Sequence, residues 1–163
     1  MGGTRYNGFP MFEITEFTQP ADLGNDLIRG RAIHAKMKQS RQFLACVNGR
    51  EAGYLSYDDR ADIETGVLYE VFVLPEFRQQ GVGSRLVSFA EDLAVSLKCS
   101  RIRLSPTPFD QSVTQAQLDS WYTKKGYQLA RDGSREFEKS LLGFGASAAQ
   151  PVIPTDAPQA ARR

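Results

Sequence analysis

The sequence predicts a mixed α/β domain built around a single sheet. Apolar side chains recur every second residue in some segments and at helical spacing in others, one apolar run has the length of a buried strand, and turn-forming residues separate the segments. The resulting order is strand, helix, three strands, helix, strand, helix and two strands, with no internal repeat. The chain has 163 residues, which is enough for one domain with one core.

The first half is expected to contain a strand, a helix and a hairpin. Residues 12–17 alternate apolar and polar side chains, as a half-buried strand does. Residues 22–37 predict an amphipathic helix, which two internal glycines weaken. Residues 42–47 and 52–57 are strand candidates, and Asn48-Gly49 between them signals a tight hairpin turn. The apolar set of the helix is Leu23, Leu27, Ile28, Ile33 and Met37.

The second half alternates strands with amphipathic helices. Residues 58–65 are polar and predict a loop. Residues 67–74 are nearly all apolar, which predicts a central strand buried on both faces. Gly126 is a good helix stop. The remaining expected elements are a helix over 84–97, a strand over 101–105, a helix over 112–125 and a strand pair over 127–130 and 135–142.

Composition and charge limit the classes of partner. Lys and Arg total 20 and Asp and Glu total 19, so the net charge of +1 gives no support for a nucleic-acid or membrane partner. One His and two Cys offer no metal-binding cluster, and Cys46 and Cys99 are expected as small core residues. The cytoplasm is the default compartment.

The ends of the chain differ from its middle. Residues 1–10 are glycine-rich and expected to be irregular. Residues 11–142 are expected to form the single domain. Residues 143–163 are rich in small residues and proline, which predicts a disordered tail.

The segment Arg78-Gln79-Gln80-Gly81-Val82-Gly83-Ser84 predicts a phosphate-binding turn between a strand and a helix. The first turn of a helix has free N–H groups and a partial positive charge, so a phosphate can be held there by backbone alone. Glycines let the backbone approach the oxygens closely, and Arg78 could add a charged contact. The same pattern also suits a simple strand-to-helix turn.

Two other phosphate-binding motifs do not match this segment. The dinucleotide fingerprint Gly-x-Gly-x-x-Gly requires a third glycine where the chain has Leu86. The nucleotide P-loop requires Gly-Lys-Ser/Thr, whereas Ser84 follows Gly83 directly.

Two segments together resemble the GNAT acetyltransferase superfamily. Residues 71–86, VFVLPEFRQQGVGSRL, resemble its apolar strand, Val-x-Pro, aromatic residue and Arg/Gln-x-x-Gly-x-Gly/Ala. Residues 121–127, WYTKKGY, look like its Phe-Tyr-x-Lys-x-Gly-Phe segment. With the element order, the resemblance covers residues 12–142. It implies a mixed, largely antiparallel central sheet flanked by helices, with a strand-loop-helix cradle for coenzyme A.

The resemblance also implies an activity and a set of site residues. The activity is transfer of an acetyl group from the co-substrate acetyl-CoA to a primary amine by direct attack, with no metal. The Val71 amide would face the acetyl oxygen, Val73 would pair with the pantetheine arm, and Tyr122 would protonate the leaving thiolate. Gln115 stands where the family often has Asn. The residues so assigned to cofactor binding are Val71, Phe72, Val73, Arg78, Gln79, Gln80, Gly81, Val82, Gly83, Ser84 and Gln115.

The group that removes the amine proton has several candidates. A free alkylamine has a pKa of about 10, so it must lose a proton before it attacks. Glu70 is the one charge in the central strand, where it could be the catalytic base, an anchor for a cationic amine, or a carboxylate paired to an Arg. Strand alternation places Glu70 on one face with Leu68 and Phe72, and a catalytic role for Glu70 is not expected if that face packs against a helix. His34 and a chain of ordered water are the other candidates.

The acceptor is left open by the sequence. Small polyamines, amino acids, antibiotics, peptide N-termini and lysine side chains all remain candidates, and Asp110 and Asp119 could attract a cationic one. A homodimer is compatible with the resemblance. Two non-enzymatic classes also stand: an acyl-CoA-binding regulatory module on the same fold, and a structural domain that does not bind coenzyme A. The retained Tyr122 favours the enzyme.

Overall fold

A seven-stranded sheet runs through residues 8–36 and 39–143, the part of the chain that the computed structural model describes. The spatial order is β1-β2-β3-β4-β5-β7-β6, and all neighbours are antiparallel except β4 and β5. The predicted mixed, mostly antiparallel sheet is confirmed. The strands are β1 (Phe12–Phe17), β2 (Ser40–Val47), β3 (Arg50–Arg60), β4 (Thr65–Val73), β5 (Arg101–Leu104), β6 (Gln128–Leu129) and β7 (Phe137–Ser140), and the helices are α1 (Asp26–Ala35), α2 (Val82–Ser96) and α3 (Gln115–Lys124).

The hairpin of β2 and β3 has the predicted turn, but its second strand is longer than expected. Asn48 and Gly49 both have positive φ, 50° and 76°, as a two-residue hairpin turn requires. The predicted loop over 58–65 is wrong at both ends, because β3 continues to Arg60 and β4 begins at Thr65. The polar residues Asp58, Asp59 and Arg60 belong to the ladder because their backbone pairs with that of β4.

Helix α1 is shorter than predicted, and its buried face differs from the predicted one. Leu27 and Ile33 are 60% and 57% exposed, whereas Ile28 and the small residues Ala32 and Ala35 are buried. The small residues allow a close approach to the sheet. There the buried Gln42 amide of β2 donates to the Ala32 carbonyl over 2.8 Å. Met37, the last residue of the predicted apolar set, lies outside the described residues.

Helix α2 packs tightly on the opposite face of the sheet. A Cβ atom on Gly53 of β3 would lie 2.8 Å from the Phe72 carbonyl oxygen and 3.2 Å from side-chain atoms of Val82 and Leu86. Glycine at this position therefore lets the first turns of α2 lie against β3 and β4. This contact holds the N-terminus of α2 near the end of β4.

The C-terminal hairpin pairs with β5 through β7, and one arginine adds side-chain contacts. Arg103 of β5 forms ion pairs with Asp132, Glu136 and Glu138. These contacts hold β6, β7 and their connecting turn beside β5. Cys99 is buried, as predicted, and Cys46 is half-buried.

No helix among residues 8–36 and 39–143 is long and apolar enough to cross a bilayer. Residues 1–7 and 144–163, which include almost all of the predicted tail, lie outside the described residues. The proposed domain boundaries remain predictions.

Candidate active site

A gap between β4 and β5 opens into a cavity. The two strands pair only from Thr65 to Val67 against Arg101 to Arg103. Beyond Val67, the β5 side of β4 has no strand partner among the described residues. The cavity in this gap has a volume of about 660 Å³ and is lined by β4, the start of α2, the chain over 104–110 and parts of α3.

The backbone of β4 offers hydrogen-bonding groups to this cavity. The Leu74 N–H donates to the Ala52 carbonyl on β3 over 2.9 Å. Because backbone groups alternate in direction along a strand, those of Val73 and Val71 point to the other side, into the gap. The Val73 carbonyl accepts a 3.1 Å hydrogen bond from Arg78 Nε there. An extended ligand could therefore pair with β4 like an added strand.

A β-bulge in β4 changes which side chains share a face. Ser56 of β3 pairs with Glu70 and Tyr57 pairs with Leu68, so Tyr69 is the extra residue. The predicted shared face of Glu70 and Leu68 is wrong, because the extra residue turns Leu68 with Tyr57 toward α2. Glu70 and Phe72 share a face, as predicted for that pair, and this face packs on α1, although Glu70 also lines the cavity.

The predicted strand-loop-helix segment is present beside the gap. Gln79 and Gly81 have positive φ, 62° and 80°, and Gly81 is the N-cap of α2 without any side-chain cap. The first intrahelical bond runs from Arg85 N–H to the Gly81 carbonyl, so the preceding amides of α2 have no acceptor in the helix. Gln79, Gly81, Val82, Gly83 and Ser84 line the cavity, and the positive helix end suits an anion. The Gln80 side chain instead donates to the Glu76 carbonyl.

Arg78 connects the two walls of the cavity. Besides the Val73 carbonyl, its guanidinium contacts Asp110 over 3.3 Å and donates to Ser112 over 3.2 Å. Hydrogen bonds from Ser112, with a smaller effect of the Arg78 charge, hold the pKa of Asp110 below its ordinary value. Arg78 thus spans from the end of β4 to the loop before α3.

Lys125 places a second cation at the start of α2. Its Nζ donates to Ser84 Oγ over 2.8 Å and lies 4.3 Å from the centre of the Trp121 ring. Burial lowers the pKa of Lys125 from its ordinary value. A positive side chain therefore adds to the positive helix end at the proposed phosphate site.

Tyr122 lines the cavity on the α3 side. It is 6% exposed, and its ring packs edge-on against Trp121 and Tyr127 with centroids 4.8 and 5.6 Å away. Burial alone raises the pKa of Tyr122 to about 12. The hydroxyl is therefore a neutral donor at physiological pH.

Glu70 lines the same cavity and is paired with Arg31 of α1. Arg31 Nη1 lies 2.5 Å from Glu70 Oε1, and the Glu70 side chain is 12% exposed. The guanidinium carbon of Arg31 also lies 4.2 Å from the centre of the Phe72 ring and 4.1 Å from that of Phe109. The Arg partner that the sequence left as one interpretation of Glu70 is thus Arg31.

Two other candidates, His34 and Gln115, lie off the cavity wall. His34 is exposed on α1 and does not line the cavity. The Gln115 amide donates to the Pro106 carbonyl over 3.0 Å and to Asp119 over 2.7 Å, so it fixes the loop before α3. Gln117 and Leu118, one turn farther along, are the α3 residues that line the cavity before Trp121.

Sequence reasoning missed Arg31, Lys125 and the loop over 104–110. That loop is rich in proline and follows a strand at the gap, so it forms a cavity wall that composition alone does not reveal. Lys125 occupies a variable position of the WYTKKGY segment, so the motif assigned it no role. Only the folded chain brings Arg31 to Glu70.

Comparisons with known proteins bear on the family and the fold. The sequence model of the acetyltransferase (GNAT) family matches residues 11–127. No curated protein is detectably similar in sequence.

Solved structures with the same fold are numerous at low sequence identity. A GNAT family acetyltransferase from Elizabethkingia anophelis with acetyl-CoA bound is 15% identical, with a TM-score of 0.63, over 79% of this chain and 97% of that chain. The ribosomal-protein-S18-alanine N-acetyltransferase from Escherichia coli is 14% identical, with a TM-score of 0.60, over 88% of this chain and 99% of that chain. A nourseothricin acetyltransferase is 22% identical, with a TM-score of 0.50, over 64% of this chain, and the match spans 66% of that protein. At these identities the likeness shows the fold.

Proposed function

Because the chain belongs to the GNAT acetyltransferase family, we propose that it transfers the acetyl group of acetyl-CoA to a primary amine by direct attack. Membership of the family makes the chain an acyltransferase. The observation that carries the finer proposal is the gap between β4 and β5. It joins an unpaired strand edge, an uncapped helix N-terminus and the side chain of Tyr122 in one cavity.

The residues around the gap fit coenzyme A. The outward backbone groups of Val71 and Val73 suit the amides of the pantetheine arm. The free amides over 82–84, with Lys125 beside Ser84, suit the pyrophosphate. Acetyl-CoA, when bound, supplies an acyl group activated as a thioester. Arg78 would have to release the Val73 carbonyl for a ligand to pair with it.

Each remaining step is assigned to a group of this chain. The Val71 N–H donates to the acyl oxygen as negative charge develops there. The attacking nitrogen forms the C–N bond while the C–S bond breaks, and Tyr122 donates its hydroxyl proton to the sulfur. Glu70, directly or through water, accepts the proton that the nitrogen loses, and this proton ultimately restores the Tyr122 hydroxyl. The net products are an N-acetyl amine and a free thiol.

The test is release of free thiol from acetyl-CoA in the presence of a panel of amines. The panel contains amino acids, simple amines, polyamines and peptides with a free N-terminus or lysine. We expect at least one class to stimulate thiol release in the wild type, and Tyr122→Phe to abolish most of it while acetyl-CoA still binds. Tyr57→Phe is the matched control, because it removes another buried tyrosine hydroxyl and Tyr57 does not line the cavity.

Two results would count against the proposal. If acetyl-CoA raises the melting temperature but no amine ever releases thiol, the chain is a binding module. If Tyr122→Phe and Tyr57→Phe behave alike, Tyr122 is not the proton donor.

A further inference from the structure

Glu70 on the cavity wall forms an ion pair with Arg31, which also contacts two aromatic rings of that wall. The Arg31 guanidinium contacts the Glu70 carboxylate at 2.5 Å and lies between the rings of Phe72 and Phe109, 4.2 and 4.1 Å from their centres. The two rings also meet edge-on at 5.7 Å. Arg31 is therefore fixed by contacts from β4 and from the loop before α3.

This ion pair keeps hydrogen-bonding capacity on both members. Among the described residues, Arg31 bonds only through Nη1 and Glu70 accepts only through Oε1. The Arg31 Nη2 and Nε donors and the Glu70 Oε2 acceptor remain for a ligand. Glu70 lines the cavity and its side chain is 12% exposed, whereas Arg31 is 30% exposed and lies beside the cavity, against the lining residues Glu70, Phe72 and Phe109.

We propose that the acceptor is a zwitterion, an amine that also carries a carboxylate, with the α-amino acid as the simplest class. This proposal rests on the proposed function. The free Arg31 donors form a planar fork that suits a carboxylate. Glu70 Oε2 accepts from the nearby amine. An ion pair in the protein is thus matched by the two opposite charges of the acceptor.

The position of the pair agrees with this chemistry. Glu70 directly precedes Val71, whose backbone N–H is assigned to the acyl oxygen. A nitrogen held at Glu70 is therefore next to the reacting centre, and the carboxylate on the same acceptor extends toward α1. Attack by that nitrogen forms the C–N bond and breaks the C–S bond, and Glu70 takes the proton that the nitrogen releases.

The same geometry disfavours an acceptor with positive charge alone. The site that would hold a cation consists of Glu70 and the faces of Phe72 and Phe109, and Arg31 already fills it. A diamine or polyamine would have to displace Arg31 and would leave that guanidinium without its partners. A carboxylate on the acceptor instead uses donors that are otherwise unpaired.

The test compares amines that differ only in the carboxylate. Alanine, leucine and phenylalanine are each paired with the corresponding amino-acid amide and with the decarboxylated amine, and putrescine is added as a diamine. We expect kcat/KM for at least one of the three acids to exceed that of both analogues by about tenfold or more, since a charged hydrogen bond is lost in each analogue. An enzyme that acetylates the amides, the simple amines or putrescine as well as the acids overturns the inference.

Variants separate the role of Arg31 from the fold and from cofactor binding. In Arg31→Gln the ratio of kcat/KM for acid over amide should fall to about one. In Arg31→Lys, which keeps the charge but loses the fork, it should be intermediate. Both should retain the melting-temperature increase with acetyl-CoA. The control is Arg41→Gln, since Arg41 pairs with Glu16 at 2.8 Å and lies 5.6 Å from the Phe43 ring, away from the cavity.

The other outcomes distinguish failure of this inference from failure of the proposed function. If Arg31→Gln keeps the acid preference, the specificity inference fails although the proposed function stands. If only peptides or lysine side chains are acetylated, the inference fails in the same way. If acetyl-CoA binds and no compound of either panel is acetylated, the proposed function fails as well.

Discussion

Burial makes Tyr122 a weaker acid than an exposed tyrosine. Burial raises the pKa of Tyr122 to about 12, farther from the thiol value of roughly 8.5 than an exposed tyrosine would be. A full proton transfer to sulfur is therefore uphill until the nitrogen gives up its own proton. The two transfers are expected to be linked, and Glu70 lines the same cavity.

The raised pKa gives a prediction for the alkaline limb of the pH profile. Because Tyr122 stays protonated to about pH 12, kcat at saturating amine should not fall around pH 10, the ordinary pKa of tyrosine. Tyr122→Phe should lower kcat by about 10²- to 10⁴-fold, as loss of a general acid does, with the Kd for acetyl-CoA nearly unchanged. A decline of the wild-type kcat centred near pH 10 contradicts this account of Tyr122.

Lys125 gives a second prediction at the level of one residue. Its ammonium group lies 2.8 Å from Ser84 at the start of α2, so it should attract the pyrophosphate. Lys125→Met should weaken acetyl-CoA binding by about 1 kcal/mol, or about fivefold in Kd, at low salt. The difference should shrink at about 1 M salt, where the Debye length is about 3 Å.

The control for Lys125 is the neighbouring exposed Lys124. Lys124→Met should leave the Kd within about twofold of the wild type. Equal losses in the two variants, measured by titration calorimetry, would mean that general positive charge and not the Ser84 contact matters.

Site residues that depend on local chain order could be predicted, and those that depend on packing could not. Gly81 and Gly83 lie in the turn between a strand and a helix, so their chemistry follows from adjacent residues. Arg31 and Glu70 are 39 residues apart and meet because α1 packs on the sheet. The face assigned to Leu68 failed because the bulge at Tyr69 has no signal in the alternation of side chains.

At the scale of single elements, two glycines respond differently to the same substitution. Gly30→Ala in α1 should stabilise the protein by about 0.5–1 kcal/mol, since a Cβ there meets open space and alanine favours helix. Gly53→Ala should destabilise it by about 1–3 kcal/mol, because the added Cβ would lie 2.8 Å from the Phe72 carbonyl oxygen. Denaturant unfolding measures both, and similar shifts would contradict the close packing of α2.

Most strands and helices follow from periodicity, and the exceptions have physical causes. The polar residues over 58–65 predict a loop, yet strand pairing extends β3 to Arg60 because the backbone ladder does not require apolar side chains. In α1 the large residues Leu27 and Ile33 are exposed, because Ala32 and Ala35 allow the helix to approach the sheet. Hydrophobic periodicity therefore predicts that a helix is present more reliably than it predicts which face of the helix is buried.

At the scale of the whole molecule, co-substrate binding should raise the stability of the folded chain. At acetyl-CoA concentrations of about 100 Kd, binding adds about 2.7 kcal/mol to the free energy of unfolding. For a chain of this size the melting temperature should rise by about 5–10 °C. Free coenzyme A should give a comparable rise, because the cradle contacts are shared. Absence of a shift with either compound would favour a domain that does not bind coenzyme A.

The short ladder between β4 and β5 divides the sheet into two blocks. Strands β1 to β4 form one and β5 to β7 the other, and in the part of the chain that the structure describes the β4–β5 ladder has three residue pairs. A pantetheine arm bound along β4 would supply hydrogen bonds where protein pairing stops. Hydrogen exchange of the amides near this seam would then slow on binding. The bound co-substrate would thus stabilise the sheet of the enzyme that uses it. Release of the product coenzyme A would remove these hydrogen bonds after each turnover.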